Sequence, residues 1–253
     1  FGEELVNSGL MPELIYRYLQ TLICSGKTVL VAGEVGTGKT TLARALSNSI
    51  PVDESLLVIE DTPEITLSHP QVRSIVTRGT NSEGEGEISP SQCIRAGMRM
   101  SMNRIIFGEI RDPEAAEAFV DVCTSGHPGL STIHARSASD ALKRLELFIS
   151  RIQRGASQQV IYEQISAAVQ VVVYLGVCSL SRTRRVFEVK EIGGVSDGVL
   201  RTREIVRYSP RNRIPLWRIV NRSSMHDELL INQPKPISFF DCGEDLTLGD
   251  ICA

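Results

Sequence analysis

From Thr28 to Leu175 short apolar runs of β-branched residues alternate with helical periodicity. That alternation predicts a parallel sheet joined by crossover helices. TVLVA (Thr28 to Ala32) is the first run; it enters a glycine-rich loop, and Leu42 and Leu46 then recur at i and i+4 on the helix that follows. LLVI (Leu56 to Ile59) ends at Glu60 and Asp61, and RIIF (Arg104 to Phe107) ends at Gly108 and Glu109. Carboxylates therefore stand twice at the C-terminal end of a predicted strand. LSTI (Leu130 to Ile133) delivers His134, and Val169 to Val177 reads as a buried strand.

Helix starts are signalled by capping chemistry. Ser89, Pro90 and Gln92 form a capping box, and Asp112 followed by Pro113 opens a helix that should stop at Gly126. GTNSEGEGE (Gly79 to Glu87) has nothing to bury and is expected as a mobile loop. After Val177 the style changes: RRVFEVKEI, GGVSDG and VLRTREIVRY predict two antiparallel strands joined by a glycine-containing turn. The fold class is α/β with a mostly parallel sheet and a small antiparallel C-terminal appendage. The expected divisions are a core over 1–177, a β appendage over 178–208 and a tail or docking segment over 209–253.

The 253 residues, 42% apolar, suffice for a large core. A net charge of −3 and a pI near 5.9 exclude a global basic field of the kind that drives non-specific nucleic-acid or membrane binding. The cluster Arg182, Arg184, Arg185 reads either as a local basic patch or as a solvated surface run. Six scattered cysteines (Cys24, Cys93, Cys123, Cys178, Cys242, Cys252) lack zinc-finger spacing and are expected as buried free thiols in a reducing compartment. No basic start with an apolar run opens the chain, and the longest apolar stretch falls short of the ~20 residues of a membrane helix. A cytosolic protein is expected. Because the chain opens at Phe1, it reads as a piece of something longer.

The chemistry concentrates at GEVGTGKTT. Gly33, Gly38, Lys39 and Thr40 satisfy the phosphate-loop pattern, with a strand before and a helix after. Gly33, Val35, Gly36, Thr37, Gly38, Lys39, Thr40 and Thr41 are the expected nucleotide contacts. Backbone N–H groups and the helix N-terminus would surround phosphate oxygens, Lys39 would meet the β and γ phosphates, and the Thr40 hydroxyl would meet Mg²⁺. Magnesium and ATP are thus the implied cofactors. Glu109 is the candidate for the magnesium shell, and Glu60 for the group that activates water, while Asp61 and Glu64 read as structural or capping acids. His127 and His134, seven residues apart around a strand, are candidate phosphate sensors or ordinary hydrogen-bonded histidines. With no third ligand in sight, they do not form a zinc site.

Taken in order, GEVGTGKT, VIEDTPEI, RIIFGEIRD and GHPGLSTIHA resemble the Walker A, Asp box, Walker B and His box of the secretion or traffic ATPases. Members power type II and type IV secretion, type IV pili and Tad pili. The similarity spans roughly Leu5 to Tyr208. GMRMSMNRIIFGE and the C-terminal strands are similar to the type IV secretion and Tad branch, although Met102 and Asn103 depart from its usual phrase. GEIRDPEAAEAF and the histidine spacing are similar to the pilus and type II branch, whose tetracysteine metal motif is missing. The resemblance implies a RecA-like domain in a homohexameric ring with ATP between subunits, at inner-membrane secretion or pilus proteins on the cytoplasmic side. It implies an ATPase of a type IV secretion, conjugation or Tad-like system, with a pilus extension or retraction motor as the alternative. A nucleic-acid translocase is the rival from another class, though no specific nucleic acid is predicted. No arginine is obviously aimed at the chain's own γ-phosphate, so Arg73, Arg78 and Arg99 are the candidates, by family resemblance, to reach a neighbour's site. The family's N-terminal domain is missing or reduced to the first two dozen residues.

Overall fold

The computed structural model describes residues 2–179, 181–231, 243 and 245–248. β1 (Val29–Gly33) is buried at every position, as its continuous apolar run requires of a strand covered on both faces. β5 (Gly129–His134) and β6 (Val171–Val177) flank it, both parallel. β4 (Arg104–Ile110), β2 (Leu56–Glu60) and β3 (Val72–Val76) continue the parallel order outward from β5. On the other side β7 (Arg184–Ser196), β8 (Val199–Tyr208), β9 (Trp217–Ile219) and β10 (Asp245–Leu246) follow β6 in antiparallel pairing. The order is β10-β9-β8-β7-β6-β1-β5-β4-β2-β3 in one sheet. The antiparallel strands expected after Val177 are present, and β7 pairs along the length of β6 with one register shift between Tyr174 and Leu175.

Alternation along the strands divides the interior. Val29 and Val31 of β1 face one apolar layer with α2 (Glu13–Cys24) and α3 (Lys39–Ser47). Leu30 and Ala32 face the other, with α5 (Pro113–Thr124), α6 (Ala138–Ile152) and α7 (Gln158–Ala168). Both predicted caps form: Ser89 and Gln92 make a reciprocal box at α4 (Pro90–Met98), and Asp112 accepts from the Ala115 N–H at 2.9 Å.

Some expectations are corrected. RIIF does not end at Phe107; the strand carries Gly108 and Glu109 to Ile110. Gly79 to Glu87 forms an exposed loop as expected, with Arg78 bridged to Ile88 and Asn81 Oδ1 accepting from the Glu83 and Glu85 N–H groups. Cys93, Cys123 and Cys178 are buried, but Cys24 is exposed at the end of α2. Cys242 and Cys252 lie outside the described residues. Within the stretch expected as a tail or docking segment, Trp217 is fully buried, and its indole donates to the Val186 carbonyl at 2.7 Å. Among the described residues no helix is long and apolar enough to cross a membrane.

Candidate functional site

Parallel strands deliver their C-terminal ends to one edge of the sheet, and β1 sits where the chain order reverses, between β5 and β6. Such an edge is where open α/β sheets bind ligands. The loop after β1 is shaped by its glycines. A Cβ on Gly33 would lie 2.5 Å from the Thr37 hydroxyl and 2.7 Å from the Leu175 carbonyl, so the first position admits no side chain. Gly36 and Gly38 hold φ of 75° and 96°, the left-handed region. Thr37 Oγ1 closes the turn on the Glu34 carbonyl at 2.8 Å. Gly38 is thereby placed as the N-cap of α3, with Lys39 as its first residue and Thr40 and Thr41 following in the first turn. Val35, at the loop tip, is exposed.

Lys39 is 8% exposed; it donates to the Glu34 carbonyl at 3.2 Å, and its Nζ stands 3.8 Å from Glu109 Oε1. Burial pushes the Lys39 amine below its ordinary value, against the opposing pull of Glu109. Glu109 reaches this point because β4 bulges: Phe107 pairs with Ser131 and Ile110 with Ile133, so three steps on β4 oppose two on β5. Bulges of this kind re-aim side chains beside sites. The Gly108 carbonyl at the bulge accepts from Thr132 Oγ1 at 2.9 Å.

His134, the last residue of β5, places Nε2 3.1 Å from Glu109 Oε1. The approach lacks hydrogen-bond geometry, so among the described residues Glu109 Oε1 is a buried acceptor without a hydrogen-bond partner. Burial, and after it the Lys39 charge, lower the His134 pKa from its usual 6.5, so the ring is neutral at pH 7. Glu60 is buried on β2, packed against Gly108 of the neighbouring strand. Its Oε1 accepts from the Glu64 and Ile65 N–H groups, each at 3.0 Å, which ties the carboxylate to the loop that follows.

One predicted site residue is not brought in. His127 precedes β5 and His134 ends it, so roughly 20 Å of extended strand separates them. Within this chain His127 meets Ser125 Oγ at 3.2 Å, far from the phosphate loop, and the two histidines cannot share an ion.

Two arginines join the site unannounced. Arg111 donates Nε to Glu109 Oε2 at 2.5 Å and also pairs with Asp61. These carboxylates, the Glu109 hydrogen bond foremost, raise its already high pKa. The chain thus pairs an arginine with its own carboxylates, a contact the sequence reading did not single out. The available signal was its place two residues past Glu109 at the end of a strand. Arg184, the first residue of β7, lies across the loop: a Cβ on Gly38 would be 3.8 Å from Arg184 Cδ. Nothing local in the sequence marks that approach, which depends on how β7 follows β6.

The donor set fits a magnesium nucleotide. A glycine cradle opens onto a helix N-terminus and a buried lysine, and beside it stands an orphaned carboxylate oxygen.

The family model described as Type II/IV secretion system protein matches residues 2–207. The chain belongs to this family. The type IV secretion system protein PtlH of Bordetella pertussis is 39% identical over 158 residues, covering 62% of this chain and 46% of that protein. VirB11 of Agrobacterium fabrum is 36% identical over 160 residues, again 62% and 46%. Among solved structures, the VirB11 ATPase of the Brucella suis type IV secretion system, in complex with sulphate, is similar at a TM-score of 0.62 and 30% identity. That likeness covers 74% of this chain and 54% of that one. The family member described here therefore spans about half the length of the curated relatives it matches.

Proposed function

We propose that this chain is the ATP-hydrolysing part of a motor for a type IV secretion, conjugation or Tad-like apparatus. The observation that carries the reading is the convergence of Lys39, Glu109 and His134 beside the glycine cradle. Lys39 supplies charge to the β and γ phosphates of ATP, which lie over the N-terminus of α3. The Thr40 hydroxyl and Glu109 would hold magnesium, which when bound neutralises charge on the phosphates. His134, neutral at pH 7, offers an N–H or a lone pair to the γ-phosphate according to its tautomer. Glu60 activates water, its carboxylate fixed in one orientation by two backbone donors.

The assembly is proposed as a homohexameric ring at the cytoplasmic face of the inner membrane, bound to secretion or pilus proteins there. Arg73, Arg78 and Arg99 support the ring reading. β3 and the end of α4 lie at the sheet's outer edge, four strand steps from β1, or roughly 19 Å. Exposed Val76, Ile88, Met98 and Met100 accompany them, an apolar set suited to a neighbouring subunit. Arg111 does not replace them in this scheme, because Glu109 and Asp61 already neutralise it.

The test is phosphate release by the purified chain with magnesium-ATP. Lys39→Ala should lower turnover by ~10²-fold or more and weaken ATP binding, since it removes charge from a site built around phosphate. Turnover equal to the unmodified protein in that variant would sink the reading.

A further inference from the structure

The second residue of β7, Arg185, is only 7% exposed, although an arginine guanidinium stays charged at any physiological pH. Nη1 donates to the Arg184 carbonyl at 3.1 Å, and the Tyr208 hydroxyl faces the guanidinium. Among the described residues its buried Nε has no hydrogen-bond partner. Arg185 lines a cavity of about 300 Å³ together with Arg213, Tyr208, Ser181 and Cys178. No carboxylate is among the described lining residues. A buried cation without a counter-charge is costly, and the usual remedy is an anion that accepts its N–H groups. Two guanidinium groups line the cavity, while the Tyr208 phenol is engaged by Cys178 and Arg185 and the Ser181 hydroxyl by Thr183. The paired guanidinium groups suit a multiply charged tetrahedral anion better than a planar, singly charged carboxylate. The volume stands at the lower end of ligand cavities, ~300 to 1,000 Å³.

We infer that this cavity is a binding site for a small phosphate-type anion, separate from the phosphate loop, with Arg185 at its floor and Arg213 at its rim. The chemistry is shared by free phosphate and by a phosphate-monoester lipid headgroup. The site stands independently of whether the chain hydrolyses ATP.

The experiment first fills the phosphate loop of the 253-residue chain with magnesium and a non-hydrolysable ATP analogue. Labelled inorganic phosphate is then titrated by equilibrium dialysis, with acetate at matched ionic strength as the carboxylate control. In parallel, vesicles of phosphatidylcholine with and without phosphatidic acid are tested for protein capture. One equivalent of phosphate should bind beyond the loop, and Arg213→Gln and Arg185→Lys should each weaken it about tenfold by removing charge-assisted hydrogen bonds. Affinity for the ATP analogue should stay the same in both variants and is read in the same samples, so failure at the loop is seen separately. If Arg185→Lys does not fold, the exposed Arg213→Gln and Ser181→Ala carry the test. Binding of soluble phosphate assigns the free anion. Capture only by phosphatidic acid vesicles, lost in Arg213→Gln, assigns the headgroup. Absence of both, equal binding of acetate, or binding unchanged by Arg213→Gln overturns the site.

Discussion

At the scale of single residues, the charge on Lys39 and the protonation of His134 are set against each other across Glu109 Oε1. His134 is held below its ordinary pKa by burial first and by Lys39 second, while Glu109 pulls the other way. Removing Lys39 in Lys39→Ala should therefore raise the His134 pKa, and Glu109→Gln should lower it further. An NMR titration of the His134 ring checks both signs, and equal values in all three proteins would contradict the geometry. The linkage to stability has a definite sign. With its folded pKa depressed, His134 favours the fold fully above about pH 6.5, and that contribution is lost as pH falls through 6.5 and below the lowered folded value. For turnover, Glu109→Gln keeps size and shape but removes charge. It should retain the fold and ATP binding while losing most phosphate release. Glu60→Gln separates Glu60's two roles: a carbonyl still accepts from Glu64 and Ile65, so the melting temperature should hold while turnover falls. Full turnover in that variant would leave Glu60 as a loop anchor only.

Elements show what could and could not be read from the chain. β1, β2, β4 and β5 were legible because each is buried on both faces, and burial on both faces demands an unbroken apolar run. β3 was not, because this half-exposed edge strand mixes Val72, Ile75 and Val76 with Arg73 and Ser74. The bulge that aims Glu109 was also hidden; it is a mismatch between β4 and β5 and belongs to neither sequence alone. The β7–β8 hairpin turns at Asp197 and Gly198, both at positive φ, which the Asp-Gly pair suits. Glu191 of β7 was overlooked for a different reason. It is 1% exposed, and it accepts from Tyr18 of α2 at 2.6 Å, from the Ser224 N–H at 2.8 Å and from the Ser223 and Ser224 hydroxyls. Nothing in periodicity announces a buried carboxylate that gathers three distant segments. Glu191→Ala should lower unfolding free energy by about 3 kcal/mol, because it strands those buried donors. Arg207→Ala, which breaks an exposed pair with Glu204, should change it by no more than about 1 kcal/mol. Urea unfolding of both variants reads the contrast, and near-equal losses would show that the Glu191 network is dispensable.

At the scale of the whole molecule, one chain gathers Lys39, Glu109 and His134 at the edge formed by β1, β4 and β5, with Arg111 and Arg184 beside them, and carries Arg73, Arg78 and Arg99 elsewhere. Arg111, the arginine within the cluster, is bound to Glu109 and Asp61. Arg73 donates to the Met100 carbonyl at 2.6 Å and Arg78 to the Gly86 carbonyl at 2.7 Å, and Arg99 caps α4, all at the far edge of the sheet. A backbone carbonyl leaves the positive charge of the Arg73 and Arg78 guanidinium groups uncancelled. In a ring that sets this edge against the next subunit's phosphate loop, one of the three would meet charge developing on the transferring phosphoryl group. Such an arginine supplied in trans is worth ~10³ to 10⁵ in rate, or roughly 4 to 7 kcal/mol of barrier. Lys39→Ala subunits keep the arginine and lose the loop's charge, whereas an Arg-to-Ala subunit keeps the loop and loses the arginine. Mixing two inactive proteins should therefore restore phosphate release at the interfaces where an intact loop faces an intact arginine. The complementing variant among Arg73→Ala, Arg78→Ala and Arg99→Ala identifies the residue. Arg111→Ala serves as the control: a group acting within its own chain shares its site with its own Lys39, so mixing it with Lys39→Ala restores activity only if Arg111 also reaches a neighbour. Full activity in all three edge variants, or no recovery in any mixture, would place the γ-phosphate's arginine at some other position.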